Sequence, residues 1–199
     1  MKKRLTFLLL LLLAIPVLAS ISSVQRHPTT EVQGAGLYPY NYRVIDNIIH
    51  AGGHPLNPAT KFGNSDEQAL YILNYLKSQG VLTVIDLENT GKIQHRYQKL
   101  LDQVGIKRLH VPMNSMMVPN KREWLAIKQA MTQPVYIHCK WGADRTGAII
   151  GRYLVELKGY YPDDAYKAVI SGGSHSGYLG GLKQGIPYIR LKRFILTPK

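Results

Sequence analysis

The sequence predicts an α/β protein, a three-layer sandwich whose mostly parallel central sheet is flanked by helices. Two observations carry that expectation. Short β-branched runs alternate with stretches of helical periodicity from about residue 43 to residue 196, the pattern of crossover-connected parallel strands. One run, Pro134-Val135-Tyr136-Ile137, leads into a glycine-containing loop, and residues 148–155 follow with one apolar face. With 199 residues, 45% of them hydrophobic, the chain suffices for one ordinary core, and no internal repeat is found.

In chain order, Met1-Lys2-Lys3-Arg4 is a basic start and residues 5–19 are rich in leucine. Val17-Leu18-Ala19 before Ser20 fits a small-residue cleavage site, so residues 1–19 are expected to be an export signal peptide. The apolar run is about five residues short of the roughly 20 that span a bilayer, which favours cleavage over a permanent anchor. Exported, periplasmic or secreted, is thus the expected location. A membrane tether through an uncleaved segment is the alternative. Residues 20–40 hold Ser, Thr, Pro and Gly without periodicity and read as a linker or loose arm, leaving residues 41–199 as the single folded domain.

Arg43-Val44-Ile45-Asp46-Asn47-Ile48-Ile49-His50 predicts one or two edge strands ending at a Gly52-Gly53 turn. Ser65-Asp66-Glu67-Gln68 reads as a capping box, Ala69, Ile72, Leu73 and Leu76 follow at helical spacing, and Gly80 sits at the C-terminal cap. Residues 81–87 form the best strand, apolar enough for burial on both faces. Ile93, Tyr97, Leu100, Leu101 and Val104 give a second helix closed by Gly105. Arg108-Leu109-His110-Val111-Pro112 gives a third strand, and Asn120 starts a third helix using Trp124, Leu125, Ile127 and Met131. Past residue 155, Pro162 starts a further helix to about residue 170. Residues 171–185 hold six glycines and read as a mobile loop, and residues 187–196 read as a last helix.

The formal net charge is +13; without Lys2, Lys3 and Arg4, 22 of the 25 bases remain against 12 acids, or +10. Such a surplus suits phosphorylated substrates, an acidic membrane surface or nucleic acid, with solubility alone as the plainer reading. The one cysteine, Cys139, excludes an intramolecular disulfide. It stands at a strand end in His138-Cys139-Lys140-Trp141-Gly142-Ala143-Asp144-Arg145-Thr146-Gly147. In parallel sheets the ligand crevice lies beyond such ends. Loop amides and a helix N-terminus make an anion site there, and a thiol at its entry with a guanidinium at its exit makes the site reactive.

The full pattern H-C-x-x-G-x-x-R-T-G resembles the active-site loop of the cysteine-dependent protein tyrosine phosphatases, in their dual-specificity-like branch. Asn47-Ile48-Ile49-His50-Ala51-Gly52-Gly53-His54-Pro55, Val84-Ile85-Asp86-Leu87 and His110-Val111-Pro112-Met113 are similar to that family's earlier strands. The resemblance implies a metal-independent phosphomonoester hydrolase of tyrosine or dual-specificity type, with no cofactor and no nucleic-acid partner. Cys139 would be the nucleophile, forming a cysteinyl-phosphate, and Arg145 would hold the phosphoryl oxygens with its planar fork. Thr146 is implied as a hydrogen-bond donor to the cysteine sulfur and His138 as the residue ordering the loop. Lys140, Trp141, Gly142, Ala143 and Gly147 complete the binding set.

The family usually carries an aspartic general acid in the loop after the strand ending near Pro112. Here residues 113–120 contain no carboxylate, and Glu123 reads as a helix-capping residue. Asp144 is therefore a candidate acid, with loop bracing as its alternative role; Asp86 reads as structural. Lys140 resembles the lysine of members that handle lipid or inositol phosphates, which makes a phosphoinositide or inositol phosphate phosphatase the closest alternative. The vacant acid loop raises a second, a phosphate-binding pseudophosphatase. A basic membrane-surface protein with an uncleaved anchor is a third.

Overall fold

The computed structural model describes residues 24–26, 37–57, 63–170 and 181–198. The proposed signal segment, most of the arm and the glycine-rich residues 171–180 lie outside the described residues.

The strands are β1 Val24–Arg26, β2 Arg43–Ile45, β3 Ile49–Gly53, β4 Thr83–Asp86, β5 Lys107–His110 and β6 Val135–Cys139, in the spatial order β1-β2-β3-β6-β4-β5. The four strands β3, β6, β4 and β5 are parallel, and β1 and β2 add an antiparallel ribbon at one side. Helices α1 Asp66–Ser78, α2 Gln94–Val104, α3 Lys121–Ala130, α4 Asp144–Lys158, α5 Pro162–Val169 and α6 Ile189–Leu196 complete the chain.

Alternation along β6 sorts the core into two layers. Val135 and Ile137 pack with Trp124 and Ile127 of α3, Ile149 and Ile150 of α4, Val169 of α5 and Ile195 of α6. Tyr136 between them faces Leu73 and Leu76 of α1 and Leu101 and Val104 of α2. This is the predicted sandwich. Local signals set the helix ends: Ser65 accepts from the Gln68 N–H, Asn120 and Glu123 form a capping box, and Gly105 closes α2 at φ 73°. Among the described residues no helix is long and apolar enough to cross a membrane.

Three expectations need correction. β3 is internal, paired with β2 and β6, so the 43–53 region is not purely an edge. Its reversal falls at Asp46 and Asn47, φ 51° and 60°, where short polar side chains tolerate the left-handed backbone of a tight hairpin. Gly52 and Gly53 instead end β3, where a Cβ on Gly52 would stand 2.8 Å from the Tyr136 hydroxyl. The arm contributes β1 and also Tyr38, whose ring stacks on Tyr42. Finally, the helix behind the cysteine loop begins at Asp144, four residues before Ala148, because the loop itself supplies the first turn.

Candidate active site

Cys139 is the last residue of β6, paired across the ladder with Gly53, while His138 pairs with Asp86 of β4. The carboxyl ends of three parallel strands thus meet at the thiol, which is buried. The chain then turns back through Gly142 at φ 66°, a position that also demands glycine sterically. A Cβ there would come within 2.2 Å of the Gly52 carbonyl carbon. Neighbouring segments hold the turn. Asn41 donates its amide to the Gly142 carbonyl (3.1 Å), Asn57 donates to the Lys140 carbonyl (2.6 Å), and the His54 N–H donates to that same carbonyl (3.2 Å). α4 follows at Asp144, directing its N-terminus into the loop.

Arg145 leaves the first turn of α4 and is held on three sides. Its Nη1 donates to the Leu87 carbonyl (3.0 Å) and the Met113 carbonyl (3.2 Å), and its Nη2 donates to Glu88 Oε2 (3.0 Å). A guanidinium carries five N–H donors, so among the described residues Nε–H and one Nη2–H remain, enough for one bidentate anion contact. Burial works against the Arg145 charge, but nearby Cys139 and Glu88 outweigh it, and the group is held even above its ordinary range.

Glu88 was not among the residues expected. It is buried two positions past β4, and its Oε1 accepts from the Asn89 and Thr90 N–H groups and the Thr90 hydroxyl. Its signal in the sequence was its position, just beyond the carboxyl end of the best strand.

The other expected residues fall into distinct settings. His138 is fully buried in a ring cluster with His54, Tyr97 and Tyr136, its Nε2 3.0 Å from the Tyr97 hydroxyl, so it braces the loop from beneath. Lys140 lies with its ammonium 5.5 Å from the Trp141 ring centroid, and Tyr40 meets Trp141 edge-on, forming an aromatic wall. Ala143 and Gly147 are joined by a 2.6 Å backbone hydrogen bond that closes the first turn. Thr146 differs from expectation. Its hydroxyl is buried without a hydrogen-bond partner among the described residues, so the bond to the cysteine sulfur is not formed. The first turn of α4 fixes its backbone and leaves the hydroxyl facing the interior. Asp144 Oδ1 accepts the Lys183 N–H at 2.7 Å, tying the start of α4 to the segment that precedes α6.

Asp86 is structural, as expected. It pairs with Arg108 and accepts the Glu88 N–H at 2.8 Å. His54, Asp86 and His138 lie close enough for a metal ion. Their chemistry opposes one: the Leu56 N–H donates to His54 Nδ1, which leaves the ring proton of the neutral imidazole on Nε2, and Arg108 already neutralises Asp86. The β5–α3 loop offers the site only the Met113 carbonyl. Asn114 Oδ1 then accepts the Met116 and Met117 N–H groups, folding the loop into a turn with both methionines outside.

The model of a family described as Tc-R-P, polymorphic toxin system, DSP-PTPase phosphatase, matches residues 63–159. Mouse phosphatidylglycerophosphatase and protein-tyrosine phosphatase 1 is 28% identical over 141 residues, 67% of this chain and 68% of that protein. Mouse RNA/RNP complex-1-interacting phosphatase is 27% identical over 152 residues, 73% of this chain and 44% of that protein. Among solved structures, PTPMT1 in complex with PI(5)P superposes with a TM-score of 0.50 at 21% identity, covering 75% of this chain and 90% of that one. This last likeness is one of fold.

Proposed function

We propose, from the match to a DSP-PTPase phosphatase family model and the likeness to curated phosphatases, that the chain is a dual-specificity-like member of the cysteine-dependent protein tyrosine phosphatases, a metal-independent phosphomonoesterase that works through a cysteinyl-phosphate on Cys139. The Cys139 thiolate attacks phosphorus, the phosphorus–oxygen bond to the alcohol breaks, and the alcohol oxygen takes a proton from solvent. Water then attacks phosphorus, the sulfur–phosphorus bond breaks to restore the thiolate, and inorganic phosphate leaves with the water's proton released to solvent. The observation that carries this reading is the clamped Arg145, which keeps two donors for an anion and whose charge is supported by nearby Cys139. Preorganised donors of this kind stabilise charge on the transferring phosphoryl group without reorganisation.

Aryl phosphates of the phosphotyrosine kind are the substrates we assign first. With no carboxylate in residues 113–120 and one Asp144 oxygen committed to Lys183, a leaving group that departs with little protonation is favoured. Asp144 is then a brace for α4. A second reading, a phosphoinositide or inositol phosphate substrate, is favoured by Lys140 at the Trp141–Tyr40 wall. It is also in keeping with a relative named for phosphatidylglycerophosphatase and a similar fold crystallised with PI(5)P. Export remains part of the proposal, and a mature N-terminus at Ser20 is its mark.

The test is hydrolysis of p-nitrophenyl phosphate in EDTA by the wild type and by Cys139→Ser. Turnover that vanishes with the substitution supports the proposal. Phosphate binding without turnover in the wild type would make the protein a pseudophosphatase.

A further inference from the structure

Two segments that touch the catalytic loop carry large apolar side chains in solvent. The Asn114 turn hangs from the Met113 carbonyl that holds Arg145, and it presents Met116 and Met117, 57% and 47% exposed. The segment before α6 is tied to Asp144 through the Lys183 N–H, and three residues on it presents Ile186, 86% exposed. The two attachment points, Asp144 and Arg145, are consecutive residues at the start of α4. Bases accompany the apolar groups. Lys121 and Arg122 open α3 just beyond the methionine turn, and Arg190 lies in the first turn of α6, all three exposed.

We propose that this rim docks the mouth of the site on an anionic lipid bilayer, with Met116, Met117 and Ile186 entering the headgroup boundary and Lys121, Arg122 and Arg190 meeting anionic headgroups. The choice of occupant follows from charge. A formal net charge of +13 favours an acidic surface, and exposed apolar side chains flanked by lysine and arginine are the composition that lies in a bilayer interface. The turn also displays them, since Asn114 holds both methionine N–H groups while about half of each side chain stays in solvent. Docked in this way, the Cys139 loop opens onto the plane of lipid phosphates. That consequence rests on the phosphatase reading; the docking itself does not.

Trp141 makes the proposal measurable. It lies in the catalytic loop, and the only other tryptophan, Trp124, is buried with its Nε1 donating to Glu156. The full chain is mixed with phosphatidylcholine vesicles, with or without phosphatidylglycerol, whose acyl chains carry bromine. Trp141 emission should be lost on the anionic vesicles and kept on the neutral ones, in the wild type and in Trp124→Phe alike. The double substitution Met116→Ser, Met117→Ser should restore the emission while leaving p-nitrophenyl phosphate turnover unchanged. Vesicle binding with Trp141 emission intact would mean attachment through the N-terminal segment alone and would overturn the proposal. So would equal quenching of the double variant. Self-association that the double substitution abolishes, seen without vesicle quenching, would assign the rim to a second copy of the chain instead. Absent turnover with quenching intact would count against the phosphatase reading and leave the docking standing.

Discussion

Glu88 and Arg145 form the ion pair on which the site's geometry depends. The carboxylate is almost fully buried, while the guanidinium side chain keeps 16% exposure. Glu88→Gln keeps a hydrogen-bond acceptor but removes the charge that aims the fork. A charge-assisted bond of this kind contributes about 1.5–3 kcal/mol, so kcat for p-nitrophenyl phosphate should fall roughly 10–100-fold with KM changing less. Steady-state kinetics on the purified variant checks this. Asp144 makes a different kind of contact, one oxygen against the Lys183 N–H. As a brace, Asp144→Asn should slow phosphates of good and poor leaving groups alike, by about fivefold for roughly 1 kcal/mol. A much larger loss on poor leaving groups would make it the general acid. Cys139, Arg145 and the glycine at 142 were legible in the sequence because one short motif holds them. Glu88 was not, because its partner is 57 positions away and only the sheet brings them together.

The unit that works is a strand, a loop and a helix: β6, residues 140–143 and α4. The run Pro134-Val135-Tyr136-Ile137 and the glycines showed this unit, but not where α4 starts, since Asp144 and Arg145 read as loop residues and are helical. β3 was harder to read. Its two glycines suggest a turn, and only the packed structure shows that Gly52 must lack a side chain to let Tyr136 and Tyr40 approach. Capping was the most legible feature. α3 starts with the box of Asn120 and Glu123, whose side chains are committed to backbone N–H groups of the helix start. Asn120→Ala should therefore destabilise the protein by about 1 kcal/mol in urea denaturation and leave kcat unchanged.

At the scale of the whole molecule, the sandwich follows from alternation of strands and helices, and the charge surplus from simple counting. The pH behaviour required the structure. His54 and His138 are fully buried beneath the loop, and burial pushes both rings below the ordinary histidine range. The unfolded chain takes up protons below about pH 6.5 that the folded chain refuses. Their contribution is therefore complete above about 6.5 and is lost progressively as the pH falls toward the lowered folded values, at up to about 1.4 kcal/mol per pH unit for each ring. Melting temperatures between about pH 7.5 and 5.5 should fall on acidification more steeply than in a His54→Gln variant of the same protein.

The central claim is that phosphate passes through the sulfur of Cys139. Acid quenching during turnover of p-nitrophenyl phosphate, followed by mass spectrometry of the peptide that holds residue 139, tests it most directly. A phosphate on Cys139 in the wild type, absent from Cys139→Ser together with all turnover, is the result expected. Turnover that persists in Cys139→Ser would contradict it.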